Sequence, residues 1–324
     1  MSEKSIITRL LNSTEPAVQL KTYLCLLEHN YDTSEVSSLT ADIKKKSPLI
    51  SNLFYYLPKD QTGKILPFYT KWQGIHWILS QLADIGYPPG DKEIVPSIDY
   101  EMNWLSGRKI QHIINGRARF CASIDAYGIY SAVSLGFFDE RSKLLVDKLV
   151  EHQWADGGWN CDKKPEVNIS SYHESLIPLR ALNSYSKLDK NQQLTTAIDR
   201  ASELFLKRRL YKRLRDDRII NNKWLLLHYP AYWHYDILMA LKVLSEAGKV
   251  VDKRCNDALD LLESKRVADG GFPKEAKYCQ SANAEKRYFS PGNWMSVNKK
   301  KMNEWVTIDA LFILKAANRI DLDY

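Results

Sequence analysis

Long apolar runs and targeting signals are missing from this sequence. No stretch approaches the roughly 20 apolar residues that a membrane-spanning helix needs. The N-terminal residues, MSEKSIITRLLNSTEPAV, have neither the apolar core nor the small-residue cleavage site of a signal peptide. We therefore expect a cytoplasmic protein with no transmembrane segment.

Cysteine is scarce and follows no pattern. The cysteines are odd in number, scattered and without a CxxC pair: Cys25, Cys121, Cys161, Cys255 and Cys279. This spacing excludes a disulfide framework and a zinc knuckle, so we expect reduced thiols. There is also no glycine-rich phosphate loop and no GxSxG motif, and local sequence therefore indicates neither a P-loop nor a serine hydrolase. We expect neither a cofactor nor a metal.

Aromatic residues and positive charge are both well represented. Nine Trp and 18 Tyr among 324 residues are many, and aromatic side chains either fill cores or line apolar pockets. The net charge of +7 is mild, so its distribution matters more than its total. An apolar fraction of 44% is ordinary for a globular protein.

A long-period repeat is the strongest pattern. Five segments share a polar or ionisable residue near their start, followed by apolar residues at three- and four-residue steps, and this periodicity predicts helices. They are 72–86, 121–136, 170–185, 232–248 and 305–319. Segments with more charged faces alternate with them, so we predict an all-α fold of helical hairpins. Examples of these are 140–154, 195–213 and 252–267.

The motif Asp-Gly-Gly-aromatic follows a charged segment twice, in WADGGWNCD (154–162) and VADGGFPKE (267–275). Glycine accepts the left-handed backbone conformation that ends many helices, and Asp accepts hydrogen bonds from amides in turns. We interpret the motif as punctuation of the repeat. At least one glycine of each pair, Gly157 with Gly158 and Gly270 with Gly271, should have a positive φ.

QWADGGWNC (153–161) leading to SSYHESLIPLRAL (170–182), and DGGF (269–272) leading to EWVTIDALFIL (304–314), resemble the Gln-Trp repeats of squalene–hopene cyclases. These enzymes belong to the terpenoid cyclase and protein prenyltransferase superfamily. The resemblance implies an α/α toroid, with inner helices around a central cavity and outer helices outside. We expect one domain over 1–324, in which helices in 1–65 complete or cap the ring and 66–320 contain the repeats.

The chemistry of that superfamily is only partly matched. The DxDD motif with which class II terpene cyclases protonate an alkene is absent. Protein prenyltransferases hold zinc with Asp, Cys and His, and Cys161, Asp162 and His173 are the matching residue types. Cys161, however, lies beside the glycine turn and not on an inner helix. The resemblance therefore does not imply zinc here.

In a toroid, the first turns of the inner helices surround one mouth of the cavity. The shared polar position falls there, with two further histidines next to it. The candidates for acid–base chemistry are His76, Asp125, His173, Glu174, His234 and Asp236. We favour His234 and Asp236. The alternative is that these acids only complement helix dipoles, and Ser171 to Glu174 matches a capping box.

The segment HYPAYWHYD (228–236) concentrates aromatic and ionisable side chains before a predicted helix. Such rings can stack on a planar or cationic ligand, or stabilise a carbocation. Packing between inner and outer helices is the alternative. The aromatic candidates for ligand binding are Trp72, Trp77, Tyr127, Tyr232, Trp233 and Tyr235.

The basic run LKRRLYKRLRDDR (206–218) has six Lys or Arg between Lys207 and Arg215 and no acid among them. As a helix it would present cations on two faces, and arginine clusters bind phosphates bidentately. The anion could be a diphosphate, a nucleic-acid backbone or an acidic lipid surface; a solvated helix end is the alternative. The candidate anion ligands, expected at the same mouth as His234, are Arg208, Arg209, Lys212 and Arg213.

Three functions fit these patterns. The first is binding or transformation of an isoprenoid-like or other apolar ligand with an anionic end, in an aromatic central cavity. The second is action on nucleic acid, through a base pocket and the basic run. The third is a carbohydrate-active lyase or hydrolase. The sequence does not decide whether the protein is an enzyme.

Overall fold

The computed structural model describes residues 3–57, 68–279 and 289–322, and the boundary predicted between 65 and 66 lies outside them. The helices in this part of the chain are α1 (Glu3–Leu11), α2 (Pro16–Cys25), α3 (Ser34–Thr40), α4 (Ile43–Lys46), α5 (Pro48–Tyr55), α6 (Ile75–Ile85), α7 (Val95–Ser106), α8 (Ala122–Ser134), α9 (Glu140–Glu151), α10 (Tyr172–Tyr185), α11 (Gln192–Leu206), α12 (Ile237–Glu246), α13 (Asn256–Glu263) and α14 (Glu304–Ala316). Strands β1 (Ile113–Ile114) and β2 (Arg117–Ala118) form an antiparallel hairpin. Among the residues described, no helix combines the length and apolar character needed to cross a membrane.

Six of these helices form a closed ring. α2 packs against α6, α6 against α8, α8 against α10, α10 against α12 and α12 against α14, and α14 returns to α2. The ring helices are buried on nearly all sides, and in α6 every residue except Asp84 is buried. A helix that is apolar all round needs neighbours all round, which a ring between two layers supplies.

A second layer packs outside the ring. α7, α9, α11 and α13 each follow a ring helix in the chain and pack against it. They are amphipathic: in α9 the buried residues are Ser142, Leu145, Val146 and Leu149, at three- and four-residue steps. This alternation of inner and outer helices is the all-α, α/α toroid that the sequence predicted.

The five predicted ring helices are confirmed, although α6 and α12 begin at least three residues later than expected. α6 begins at Ile75 and α12 at Ile237, because the residues before them form turns. The predicted helix 195–213 is wrong at its C-terminal end, since α11 ends at Leu206. Arg209 and Leu210 have φ values of 42° and 68°, which a continuing α-helix does not allow. The basic run is therefore a turn that leads into a short hairpin.

The two Asp-Gly-Gly turns are built alike. Gly157 and Gly270 have φ values of 101° and 86°, as the sequence predicted. In the first turn the backbone N–H of Trp159 donates to Ser175 Oγ on α10, at 3.0 Å. In the second turn the backbone N–H of Phe272 donates to Thr307 Oγ1 on α14, at 2.9 Å. Each turn thus attaches the end of an outer helix to the following inner helix.

The aspartates of these turns hold the start of the next inner segment. Asp156 accepts a hydrogen bond from the backbone N–H of Ser170 at 2.8 Å. Asp269 accepts one from the backbone N–H of Met302 at 3.0 Å. The motif is repeated because the same junction between outer and inner helices is built twice.

Candidate functional site

Two of the expected mouth residues, His76 and Asp125, have internal partners. His76 Nδ1 lies 2.8 Å from Glu101 Oε1, and both side chains are fully buried. Asp125, also fully buried, is 2.9 Å from Arg108 Nη1 and 2.8 Å from Lys148 Nζ. Burial raises the pKa of Asp125, and the two cations oppose that shift.

Asp236 pairs with His228 and not with His234. Both Nδ1 and the backbone N–H of His228 lie 3.0 Å from Asp236 Oδ2, while Asp236 Oδ1 caps α12 at the N–H of Met239. His234 stacks on Tyr278, with ring centroids 3.7 Å apart. Burial lowers the pKa of His234 to about 3, so the imidazole is uncharged at neutral pH. Sequence reasoning missed His228, although it opens the HYPAYWHYD segment.

The aromatic candidates near the axis pack against one another. Trp72 stacks on Tyr232 with ring centroids 4.2 Å apart, Trp77 contacts both, and the Tyr127 hydroxyl donates to the Tyr232 carbonyl. The adjoining cavity leaves only about 20 Å³ for the centres of water molecules. That space holds about one water. These rings fill the middle of the toroid.

Two other aromatic candidates lie further out. Trp233 contacts the half-buried His173, with ring centroids 5.2 Å apart, and burial lowers the pKa of His173. The Tyr235 hydroxyl donates to the carbonyl of Leu210 at 2.6 Å. This bond attaches the turn of the basic run to the segment that leads into α12.

The basic run is partly neutralised by an outer helix. Arg209 Nη1 lies 3.4 Å from Asp257 Oδ2, and Lys212 pairs with the same carboxylate. Arg208 donates to the Leu204 carbonyl at 3.3 Å, and Arg213 is exposed. The four cations therefore do not converge on one anion position.

Charged side chains from five ring helices meet near the axis. Lys21 lies 3.2 Å from Asp84 and 2.9 Å from Asp309, and Lys242 lies 2.8 and 3.0 Å from the same two residues. Arg180 is 2.9 Å from Asp84. Burial lowers the pKa of Lys21, but the aspartates outweigh it and hold that pKa well above its ordinary value. This network connects the ring helices to one another.

Cys121, Cys161 and Glu174 come together where α8 and α10 begin. Their thiol and carboxylate atoms all lie within 4.8 Å of one another, and Glu174 Oε1 is 3.5 Å from Cys161 Sγ. The other carboxylate oxygen accepts a 3.0 Å hydrogen bond from the backbone N–H of Ser123. Burial raises the pKa of Glu174, while its bonds from Ser123 oppose the rise. We call these three residues the thiol cluster.

Local structure explains how the thiol cluster forms. Cys121 immediately precedes α8, and Glu174 lies in the first turn of α10. Cys161 follows the first Asp-Gly-Gly turn, which brings the chain back across these two helix starts. The capping box expected from Ser171 to Glu174 does not form, because Glu174 instead bonds to the neighbouring helix.

An open pocket lies beside the thiol cluster. It has a volume of about 490 Å³, and both Cys121 and Cys161 line it. The lining also includes Arg108, Lys109, His112, Arg119 and Lys163. No Asp or Glu belongs to that lining within the described part of the chain, so the residues that line the pocket carry a net positive charge.

Sequence reasoning missed Cys121 and the pairing of the two thiols. The signal was weak because the cysteines share no motif and only the fold makes them neighbours. Cys161 was noticed for its residue type and set aside because it follows a glycine turn. That turn is what carries it to the start of α10.

Comparison with known proteins identifies no family. No family model matches the chain, and no curated protein matches its sequence. Solved structures that are similar in fold include a family 76 glycoside hydrolase from a bovine Bacteroides thetaiotaomicron strain (10% identity, 93% of this chain and 67% of that chain, TM-score 0.47) and a GH76 alpha-mannanase of Bacteroides thetaiotaomicron (13% identity, 94% and 85%, TM-score 0.48). We assign no site residue from either. The implied toroid is present, but nothing found here supports membership of the terpenoid cyclase superfamily.

Proposed function

We propose that this protein is a zinc-dependent enzyme whose metal is held by the thiol cluster. One distance supports this most strongly: Glu174 Oε1 and Cys161 Sγ are 3.5 Å apart. A tetrahedral zinc ion with bonds of about 2.3 Å to sulfur and about 2.0 Å to oxygen separates its ligand atoms by about 3.5 Å. This pair of ligand atoms therefore already has the separation that zinc would impose.

The number of ligands favours catalysis over a structural role. Structural zinc sites usually have four protein ligands, whereas catalytic sites have three and leave one position for water or substrate. The thiol cluster supplies three ligands, and the 490 Å³ pocket meets it at Cys121 and Cys161. Bound zinc would activate a nucleophile at the open position.

Residues of the chain would assist that reaction. The backbone N–H of Ser123 holds the Glu174 carboxylate in its orientation, as outer hydrogen bonds commonly do at metal sites. His112 lines the same pocket and could accept a proton from the activated nucleophile. The positive lining would attract an anionic substrate.

Metal analysis tests this function. We expect about one zinc per chain in the purified protein, and a loss of more than about tenfold in zinc affinity for Cys121→Ser, Cys161→Ser and Glu174→Gln. Cys25→Ser, a cysteine outside the cluster, should keep the affinity of the unchanged protein. Equal zinc affinity in all four variants would overturn the assignment.

A carbohydrate-active enzyme is the second candidate, because two buried carboxyl groups, Asp125 and Glu174, lie where α8 and α10 begin. Burial raises the pKa of both, and the Asp125 carboxylate adds to the rise at Glu174. Glycosidases use two carboxyl groups, one of them with a raised pKa. Sugar release from polysaccharides that survives a zinc chelator but is lost in Glu174→Gln would favour this candidate over the first.

A further inference from the structure

Arg119 carries a positive charge that is buried without an acidic partner. Its side chain is 2% exposed, and its guanidinium lies 4.4 Å from the ring centroid of Trp154. Nη2 donates to the Val167 carbonyl at 2.7 Å. Nε and Nη1 have no hydrogen-bond partner among the residues that the structure describes. Three N–H donors of a buried cation are thus unused.

We propose that the pocket lined by Arg119 binds a phosphate group carried by a small-molecule substrate. This inference rests on the proposed function, because it names the substrate class of the same site. An isolated buried charge costs several kcal/mol unless an opposite charge accompanies it, roughly the range for unpaired ions in proteins. A bound anion would supply that charge.

The surrounding charges favour an anion with more than one negative charge. Arg108 and Lys148 are occupied by Asp125. Lys109 and Lys163 line the same pocket and are exposed. Together with Arg119 they form three cations around one space. A phosphate monoester has a charge of about −1.5 to −2 near neutral pH and three acceptor oxygens, so it fits this set better than a single carboxylate.

The position of Arg119 in the chain links phosphate recognition to the thiol cluster. Arg119 is only two residues before Cys121. A phosphate held by Arg119 would therefore place the remainder of the substrate beside the thiol cluster.

The size of the pocket favours a small molecule over nucleic acid. A volume of about 490 Å³ is within the range of small-ligand sites, roughly 300–1,000 Å³. A nucleic-acid strand is instead bound along an extended basic groove. The basic run 207–215, which was the sequence candidate for nucleic acid, does not line this pocket.

Calorimetric titration with phenyl phosphate, inorganic phosphate, benzoate and a single-stranded oligonucleotide tests the proposal. We expect phenyl phosphate to bind at least about tenfold more tightly than benzoate, a difference of about 1.4 kcal/mol. Inorganic phosphate should compete with phenyl phosphate. Equal affinity for benzoate, or tighter binding of the oligonucleotide, would overturn the assignment.

Variants locate the binding site. Arg119→Gln and the double variant Lys109→Ala with Lys163→Ala should each weaken phenyl phosphate binding at least about tenfold. The two lysines are exposed, so the double variant remains informative if Arg119→Gln fails to fold. Lys190→Ala, an exposed lysine elsewhere, is the control and should bind as the unchanged protein does. Unchanged affinity in the double variant would contradict the proposal.

Cys161→Ser separates this inference from the proposed function. Phosphate recognition by Arg119 needs no metal, so Cys161→Ser should lose zinc but keep phenyl phosphate affinity within about threefold. If the protein binds phenyl phosphate but never binds zinc, only the zinc-enzyme hypothesis is rejected. If it binds zinc but does not prefer phenyl phosphate to benzoate, only the phosphate-binding inference is rejected.

Discussion

His234 shows how burial changes what a histidine can do. Its ring stacks on Tyr278, and its pKa is lowered to about 3, so it is neutral where most proteins work. A neutral imidazole can accept a proton but cannot donate one as an imidazolium. The acid–base pair expected between His234 and Asp236 is replaced by a pair between Asp236 and His228.

His234 should make the protein less stable in acid. Its pKa in the folded state, about 3, is below its ordinary value of 6.5, so between these values the unfolded chain binds a proton that the folded chain does not. The free energy of unfolding should therefore fall as pH falls through this window. Between pH 7 and pH 5 the free energy of unfolding should fall less in His234→Phe than in the unchanged protein. The difference between the two falls should be about 1 kcal/mol after allowance for the partial exposure of His234.

Urea denaturation of both proteins at several pH values measures this difference. If the two curves of unfolding free energy against pH run parallel from pH 7 to pH 4, His234 does not contribute to acid sensitivity. Such a result would also remove the burial argument for a neutral imidazole.

Individual residues of the site were predictable only where a repeat marked them. Asp125 and Glu174 were found because they share a repeat position, and both lie where inner helices begin. Cys121, Cys161 and Arg119 have no such mark. Their significance depends on contacts between segments that are distant in sequence, and periodicity within a helix carries no information on those contacts.

At the scale of secondary-structure elements, the Asp-Gly-Gly turns permit very little change. A Cβ at Gly157 would lie 2.1 Å from the Arg200 carbonyl oxygen, and the φ of Gly157 is 101°. Both the backbone conformation and the space therefore require glycine.

Gly157→Val should lower the free energy of unfolding by at least about 2 kcal/mol, because steric overlap adds to backbone strain. Thermal and urea denaturation measure the loss. Gly248→Ala is the control: its φ is also positive, 67°, but nothing lies within 4 Å of the added Cβ. It should cost about 1 kcal/mol or less. Equal losses in the two variants would show that crowding at Gly157 is unimportant.

The existence and order of the ring helices were predictable from sequence, but the exact residues at which helices begin and end were not. The residues after α11, from Lys207 to Arg213, are mostly good helix formers, but the helix ends at Leu206. Tertiary contacts decide this: Tyr235 bonds to the Leu210 carbonyl, and Lys212 pairs with Asp257. Helix propensity is a weak preference that such contacts override.

At the scale of the whole molecule, the ring is held together by charge as well as by apolar packing. Lys21 of α2 is paired with Asp84 of α6 and Asp309 of α14, so one side chain connects three helices at the point where the ring closes. The lysine is 1% exposed. Removal of one partner from a buried network leaves the other charges without compensation.

Lys21→Met should therefore lower the free energy of unfolding by about 3–5 kcal/mol. Lys249→Ala is the matched control, since Lys249 forms a pair with Asp199 at the surface and should contribute less than about 1 kcal/mol. Chemical denaturation of both variants tests the comparison. A loss at Lys21 as small as that at Lys249 would mean that the network does not stabilise the ring.

The toroid was predictable from repeats and alternation, but the state of its centre was not. The resemblance implied a central cavity with aromatic walls, and the structure has aromatic rings packed together beside about 20 Å³ of space. Residue types indicate that aromatic side chains point inward, but they do not indicate how closely those side chains approach one another. The isoprenoid hypothesis consequently gains no support from the axis, and the pocket beside the thiol cluster offers far more space, about 490 Å³.

Closure of the ring by α2 and α14 also sets an order of events during protein synthesis. Lys315 Nζ donates to the Leu26 carbonyl across 289 residues of chain. A ribosome adding about 5–20 residues per second would take roughly 15–60 s to make that interval. For nearly all of this time α2 is without α14, and Lys21 can pair with Asp84, once that residue is made, but not with Asp309. The first ring helix made is thus among the last to be fully enclosed, and its apolar side stays uncovered on one flank until α14 is made.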